Sequence, residues 1–203
     1  MSTTQPHKAH SASINKRSAE TLEALEALIL AEGFSRLNVS EIVARLRCSK
    51  RTLYELAPSK KMLVLKALDN FFRRIRQKAD HAIDNTLGPE RQVYEYLQVG
   101  VRAAEQLSQA VVADIDEWEP ARTLWQEHIK LRVDGMCPII ENGVKAGVFR
   151  KVPPAFVAEI VFASINRLRE PDFSDSTGLT ISEAFHELYE MLLHSLMLRS
   201  GLA

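Results

Sequence analysis

Apolar side chains recur at three- and four-residue intervals along most of the chain, and this spacing limits the fold more than any other sequence feature. Leu22, Leu25, Leu28 and Ile29 start the pattern, and Gly33 follows them as a helix stop. No segment has the alternation expected of a strand, and eight glycines and eight prolines among 203 residues are too few for a turn-dense β fold. The sequence therefore predicts an all-α fold of about nine helices.

Proline, glycine and polar residues indicate where several helices begin and end. Residues 1–13 are polar and are expected to form a flexible arm, so that the first helix begins at Ser18. The longest helix is predicted over residues 119–146, with a kink or break at Pro138. The last two helices are predicted over residues 154–169 and 181–199, with a turn-rich loop at 170–180 between them.

Composition excludes several classes of protein. The two cysteines, Cys48 and Cys137, lie far apart, so we expect no disulfide framework and a reducing compartment. No apolar run approaches the ~20 residues that a membrane span requires. Residues 1–18 lack the apolar stretch of a signal peptide. We therefore expect a cytoplasmic protein with no membrane partner, no cofactor and no metal site.

Charge is distributed unevenly, although the formal net charge is zero. Residues 1–66 contain eleven Lys or Arg and six Glu, so this third is net basic and the remainder is net acidic by the same amount. A basic N-terminal third is typical of an anion-binding module joined to a non-binding body. A chance division of this size is also common, so charge alone does not decide.

Two short helices joined by a tight turn are predicted over residues 38–46 and 49–56, which is the size of a helix-turn-helix. Asn38 is expected to cap the first, with Glu41 in the capping-box position, and Ser49 to cap the second. In a helix-turn-helix, the N-terminal residues of the second helix face the DNA bases. The pattern is also compatible with an ordinary helix pair that has a solvated basic face.

Lys60 and Lys61 follow the predicted Ser59 cap of the next helix. The helix macrodipole favours acidic residues there, so two lysines are unfavourable unless an anion binds at this end. The simpler interpretation is that they are ordinary exposed lysines. The first predicts a docked phosphate, and the second predicts none.

These motifs together resemble the DNA-binding domain of the TetR family of bacterial transcriptional regulators. The resemblance covers residues 19–65 and is carried by three stretches, at 33–34, 38–54 and 58–63. The most specific part is the Ser-x-x-Thr-Leu-Tyr run at 49–54, followed by Ser59-Lys60. A further block at 143–153 resembles the family's junction between its seventh and eighth helices.

The resemblance implies three parts of the chain. They are a flexible polar arm at 1–17, a helix-turn-helix DNA-binding domain at 18–65, and a ligand-binding and dimerisation domain at 66–203. Two positions depart from the family pattern. Arg47 stands where the family usually has glycine and is expected to alter the turn, because arginine does not readily adopt positive φ. Ala57 stands where the family usually has an aromatic residue.

The resemblance also assigns DNA contacts, to a double-stranded palindromic operator. The candidates for base contacts are Lys50, Arg51 and Thr52. The candidates for phosphate contacts are Ser40, Ser49, Tyr54 and Lys60. The alternative for Tyr54 is a half-buried ring with a solvated hydroxyl. Lys8, Lys16 and Arg17 are placed near the adjacent groove or backbone.

The last two predicted helices are apolar on more than one face, which exceeds the single stripe of a surface helix. A twofold four-helix interface between two copies would cover this surface, and burial within a monomer is the alternative. The candidate interface residues are Phe156, Ile160, Phe185, Leu188, Leu192 and Leu196. Twofold operator half-sites favour the homodimer.

A small-molecule site is expected between the middle helices, since an apolar cavity with a few polar groups is the usual form of such a site. The candidates are Phe71, Phe72, Tyr94, Trp118, Trp125 and His128, although an ordinary core position is the simpler interpretation of each one. The sequence does not identify the effector.

Three functions stay open at this point. The first is a DNA-binding repressor released from its operator by a small molecule. The second is a DNA-binding regulator without a small-molecule ligand, controlled by a protein partner or by abundance. The third is an all-α enzyme that uses the acidic residues Asp114, Asp116, Glu117 and Glu119. These residues more simply form an acidic cap for the following helix, so we expect the protein not to be an enzyme.

Overall fold

The computed structural model describes residues 6–84 and 86–198, and ten α-helices account for the regular structure of these ranges apart from one isolated bridge between Phe149 and Met197. The all-α prediction is confirmed. The helices are α1 (Pro6–Glu32), α2 (Val39–Leu46), α3 (Lys50–Leu56), α4 (Lys60–Ala82), α5 (Pro89–Ala104), α6 (Gln109–Glu117), α7 (Glu119–Lys145), α8 (Pro154–Leu168), α9 (Pro171–Thr177) and α10 (Ile181–Leu196).

Three boundaries differ from the sequence prediction. Helix α1 begins at Pro6, inside the expected arm, and proline is tolerated in the first turn of a helix. Helix α7 runs unbroken through Pro138. The expected loop at 170–180 contains α9, which Gly178 ends with a φ of 71°.

The chain divides into two compact units. Unit 1 consists of the chain up to Phe71 together with Ser108–Leu124, and unit 2 consists of Phe72–Leu107 and the chain from Trp125 onward. Unit 1 therefore contains α1–α3, the start of α4, and α6. The sequence suggested a single division after residue 65, which leaves residues 108–124 out of the DNA-binding part.

The short helices of unit 1 begin with the caps that the sequence indicates. The Asn38 side chain accepts hydrogen bonds from the backbone N–H groups of Ser40 and Glu41 at 2.9 and 3.0 Å, and the Glu41 carboxylate accepts from Asn38 N at 2.7 Å. Ser49 Oγ accepts from Thr52 N at 3.0 Å. The capping box of α2 and the serine cap of α3 are thus confirmed, and they satisfy N–H groups that a helix start leaves unpaired.

Arg47 forms the turn between α2 and α3 in a left-handed conformation, with φ 49° and ψ 40°. It is the only non-glycine residue with positive φ in the described ranges. The expectation that Arg47 alters the turn is therefore wrong. Its backbone accepts the glycine-like geometry, at a cost of about 1 kcal/mol for the crowding of its Cβ.

Asp114 in α6 is tied to the turn that follows α1. The backbone N–H groups of Phe34 and Ser35 both donate to Asp114 Oδ2, the second at 2.8 Å. Gly33 has a φ of 76°, and a Cβ there would lie 2.5 Å from the same carboxylate oxygen. Asp114 was expected to belong to an acidic helix cap; it is instead a buried structural acceptor.

In unit 2, α10 packs on both α5 and α8, and α4 and α7 add buried side chains to the same interior. Phe149 lies against Gly143, where a Cβ would approach its ring to 2.1 Å, so only glycine fits this position of α7. Arg150 N donates to Leu196 O at 2.9 Å. This bond fixes the segment after α7 to the end of α10.

We expect Arg47→Gly to raise the free energy of unfolding by about 0.5–1 kcal/mol, because relief of left-handed strain exceeds the entropy that glycine adds to the unfolded chain. Urea denaturation measures the change. The matched control is Arg47→Ala, which removes the charge but keeps the Cβ. Equal stabilisation by both variants would mean that charge, not backbone strain, is responsible.

We expect Asp114→Ala to lower the free energy of unfolding by about 1–3 kcal/mol, because two backbone N–H groups lose their acceptor. Glu117→Ala removes the same charge from an exposed position of α6 and should change stability by less than about 0.5 kcal/mol. Similar losses in the two variants would show that charge at α6, rather than the Phe34 and Ser35 bonds, matters.

Candidate nucleic-acid interface

Helix α3 buries Leu53 and Leu56 and presents Lys50, Arg51 and Tyr54 on its outer face. The periodicity of a seven-residue helix fixes this division, since leucines three residues apart lie on the same side. Tyr54 is 47% exposed, which leaves its hydroxyl available to a partner. The outer face is therefore basic and polar, as a major-groove helix requires.

Arg51 is paired with Glu55 one turn later, with 2.9 Å between Arg51 Nε and Glu55 Oε1. Both side chains are exposed, so solvent screens the pair and it contributes little to stability. Arg51 can therefore leave Glu55 for another partner at little cost. Glu55 nevertheless places a negative charge beside the strongest candidate for base recognition. The four-residue spacing of these opposite charges on a predicted helix was the available sequence signal for the pair.

The hydroxyls at the start of α3 are partly used by the helix itself. Ser49 Oγ lies 2.9 Å from Thr52 Oγ1 in addition to capping the helix. These two residues line a groove between α1 and α3, together with Arg17, Ser18, Arg51 and Glu55. The groove brings Arg17, one of the three cations expected near the DNA, to the side of α3.

The other expected cations near the N-terminus differ in position. Lys16 lies 4.0 Å from Glu20 on the exposed side of α1. The side chain of Lys8 lies outside the described residues. Ser40, expected at a phosphate, is exposed in the first turn of α2.

Lys60 has a partner in the free protein. Its Nζ donates to Ser35 O at 3.2 Å, and Ser59 Oγ caps α4 by accepting from Met62 N at 3.3 Å. Lys60 and Lys61 line a groove that also contains Asp114 and Glu117. The position of Lys60 is thus explained in part by the Ser35 carbonyl, without a phosphate.

Residues 22–67, which span α2, α3 and their flanks, match the model of the bacterial regulatory proteins of the tetR family. The family match is confined to this N-terminal segment of the chain. TetR-family regulators are transcription factors rather than enzymes, so the all-α enzyme that used the acidic residues is set aside. No curated protein matches the sequence.

Three solved structures show the same fold across nearly the whole chain. A protein from Saccharomonospora viridis, described as a candidate transcriptional regulator in complex with choline, is 18% identical, with a TM-score of 0.72 over 91% of this chain and 100% of that one. A structure described as the basis for control of antibiotic production by bacterial hormones is 19% identical, with a TM-score of 0.68 over 90% and 98%. A TetR-family regulator from Agrobacterium tumefaciens is 16% identical, with a TM-score of 0.69 over 91% and 100%.

The residues that the sequence suggested for a ligand pocket divide between the two units of the chain. Phe72, Trp125 and His128 come together in unit 2: the Phe72 ring stacks on His128 at 4.7 Å and meets Trp125 edge-on at 5.6 Å. Phe71 and Trp118 lie in unit 1, where Trp118 packs edge-on against Phe34 at 5.7 Å.

Three arginines that the sequence analysis did not single out belong to the unit 2 cluster. Arg76 lies 3.2 Å from His128 Nδ1, Arg169 lies over the Trp125 ring at 4.4 Å, and Arg132 is buried beside Tyr96. Arg132 follows Trp125 by seven residues, on the apolar stripe of α7. The sequence signal that could have identified Arg132 was a charged residue within an otherwise apolar helical stripe. Tyr94 is half-buried under Arg91 and is not part of this cluster's contacts.

The dimerisation candidates also divide by exposure. Phe156 and Ile160 of α8 are 59% and 51% exposed. Leu188 and Leu192 of α10 are half-buried. Phe185 and Leu196 are buried within the single chain, so their assignment to an interface is corrected: α5 and the segment after α7 already cover that side of α10.

Within residues 6–84 and 86–198, no helix combines the length and apolarity needed to cross a membrane. The same ranges contain no group of three or more His, Cys, Asp or Glu arranged to hold a metal ion.

We expect Arg51→Ala to weaken binding to the true operator by about 1–3 kcal/mol and to relax the preference at one base pair. Glu55→Gln should strengthen binding to every duplex, because it frees Arg51 and removes a negative charge near the phosphates. Fluorescence anisotropy with operator and scrambled duplexes measures both effects. An equal loss for Arg51→Ala on the scrambled duplex would show that Arg51 contacts only the backbone.

Proposed function

We propose that this chain is a homodimeric repressor that binds a palindromic operator through α2 and α3 and leaves it when a small molecule binds in unit 2. The observation that carries the proposal is α3 itself: a capped helix after a tight turn, with Lys50, Arg51 and Tyr54 outward. Lys50, Arg51 and Thr52 are the proposed base contacts, since first-turn side chains of such a helix reach base edges.

The phosphate contacts are proposed from exposure and helix ends. Three of the candidates lie at the start of a helix, namely Ser40 at α2, Ser49 at α3 and Lys60 at α4. The fourth, Tyr54, lies on the exposed side of α3. Helix N-termini bind phosphate through free N–H groups. Arg17, in the groove beside α3, extends this basic surface.

The small-molecule part of the proposal is supported by unit 2 and by similar proteins. The cluster around Trp125 and His128 joins aromatic walls with buried polar groups, which is the usual chemistry of a ligand site. One protein of the same fold was solved with choline, and another is described in terms of bacterial hormones. Effector release is therefore the form of regulation that we propose.

The dimer is proposed from α8 and α10. Phe156 and Ile160 share the exposed side of α8, four residues apart, and Met191 of α10 is 70% exposed. Large apolar side chains grouped at a surface mark protein–protein contacts. Two copies related by a twofold axis would also present two α3 helices to two operator half-sites.

The function is tested with the purified chain and duplexes selected from a random pool. A palindromic consensus that lowers reporter expression when it overlaps a promoter supports a repressor. Release of that duplex by a low-molecular-weight extract of the source cells supports a small-molecule effector. Selection of no consensus contradicts the proposal as a whole, and operator binding that no extract affects contradicts only effector release.

We expect Phe156→Glu to dissociate the dimer, because a carboxylate would replace an apolar contact at the centre of the interface. Sedimentation equilibrium measures the change in mass. Met62→Glu introduces the same charge at an exposed apolar residue of unit 1 and should leave the mass unchanged. A Phe156→Glu protein that stays dimeric places the interface elsewhere.

A further inference from the structure

Three nitrogen-bearing side chains lie along one face of α7 inside unit 2. Trp125, His128 and Arg132 are separated by three and four residues, which places them on adjacent turns of the same side. Their exposed fractions are 3%, 3% and 6%. An arginine this deeply buried is unusual unless its charge and its N–H groups have partners.

Two of these side chains have an N–H group without an acceptor. Arg132 Nη2 donates to Tyr96 O at 2.9 Å, but Arg132 Nη1 has no hydrogen-bond partner. Trp125 Nε1 has none either. These are the two buried side-chain atoms of the described residues in this condition, and both are donors. The cluster therefore needs an acceptor rather than another donor.

His128 adds a third donor to the same face. Its Nδ1 lies 3.2 Å from Arg76 Nη1, and because a guanidinium only donates, Nδ1 is the acceptor and the proton is on Nε2. Burial, with the positive charges of Arg132 and Arg76, lowers the pKa of His128 to about 2. The imidazole is therefore neutral at physiological pH and does not add to the local positive charge.

No buried acidic residue in the described part of unit 2 accompanies Arg132, although the charge of the exposed Asp80 reaches Tyr96 and helps to raise the pKa of that residue. The buried polar residues of its described part are Gln92, His128, Arg132 and Arg169, none of them acidic. Arg132 instead faces the Tyr96 ring at 5.1 Å. A ring face offsets part of a buried charge, but a carboxylate does so far better.

Flat apolar groups surround these donors. Phe72 stacks on His128 with 16° between the planes and lies edge-on to Trp125. Tyr96 supports the Arg132 end, where its hydroxyl donates to Arg132 O at 2.6 Å. An anion bound at Arg132 would thus have its non-polar part against aromatic rings.

We propose that unit 2 binds a small organic monocarboxylate, whose carboxylate accepts from Arg132 Nη1 while its apolar or aromatic body packs against Phe72, Trp125 and His128. This inference names the chemical class of the effector and rests on the effector part of the proposed function. It excludes cationic and neutral ligands of the same shape as strong binders.

The binding test uses the fluorescence of Trp125 alone. The chain has two tryptophans, so Trp118→Phe leaves Trp125, within the cluster, as the single reporter. The probes are octanoate and 3-phenylpropanoate, with 3-phenylpropan-1-ol and 3-phenylpropylamine as matched neutral and cationic compounds. We expect saturable changes with at least one acid, and at least tenfold weaker binding of the alcohol and the amine. Failure of both acids to bind more tightly than about 1 mM overturns the proposal.

Arg132→Met, made in the Trp118→Phe protein, removes the charge and keeps the length of the side chain. We expect at least a tenfold loss of acid affinity, with resistance to urea equal to or greater than that of the parent, because a buried charge without a counterion is removed. Lys130→Met removes a charge from an exposed position of the same helix and should change neither property. Undiminished acid binding by Arg132→Met would overturn the assignment.

A structural role for Arg132 predicts other results. If Arg132→Met fails to fold, Arg132→Lys keeps the charge without the planar fork and should bind the acids with reduced affinity. Acid affinity unchanged by Arg132→Lys, with lost stability, would contradict a ligand contact.

Operator binding is measured separately, so that the two proposals fail in different ways. Acid binding without operator release leaves this inference standing and contradicts effector release. If a cell extract releases the operator but the protein binds neither acid, effector release stands and the monocarboxylate inference is contradicted.

Discussion

The carboxylate of Asp114 ties α6 to the turn between α1 and α2, and the arrangement of unit 1 depends on this contact. Asp114 Oδ2 accepts from the backbone of Phe34 and Ser35, and Ser35 O in turn accepts from Lys60 at the start of α4. One turn is thus bonded to α6 on one side and to α4 on the other. Gly33 permits this approach, because a side chain there would meet the Asp114 carboxylate.

The recognition helices show how local rules and a local exception combine. The caps at Asn38, Ser49 and Ser59 fix where α2, α3 and α4 begin, so the length of each connection is set by the sequence. Arg47 is the exception, since it occupies a left-handed conformation that favours glycine. Burial of Ile42, Leu53 and Leu63, each no more than 1% exposed, over-determines the turn and outweighs this strain.

In unit 1 the buried carboxylate of Asp114 has hydrogen-bond donors, whereas unit 2 buries charge and donors without matching acceptors. Its interior contains a guanidinium without a carboxylate and donors without acceptors, which is unfavourable in the free protein. A ligand that supplies the missing acceptor binds the folded chain alone and stabilises it by mass action. A group that is poorly satisfied in the free state is therefore well suited to detect an anion, which is the physical reason for our effector proposal.

The sequence by itself determined the all-α class, the caps of α2 and α3 and the family resemblance of the N-terminal part. The apolar spacing predicted an all-α chain, and the run from Asn38 to Tyr54 predicted the helix-turn-helix, because periodicity and capping act between residues a few positions apart. It could not place Pro138 inside an unbroken α7, since neighbouring turns decide whether a proline is accommodated.

Only the tertiary structure decided which residues meet. Phe72, Trp125 and His128 lie with Arg132 in unit 2, whereas Phe71 and Trp118 lie in unit 1. In the sequence, all of these residues except Arg132 were equivalent candidates for the pocket. The tertiary structure also covered Phe185 and Leu196 within the chain while Phe156 and Ile160 stayed exposed. An apolar stripe indicates that one face of a helix is buried. It does not indicate which residues cover that face, because they come from a distant part of the chain.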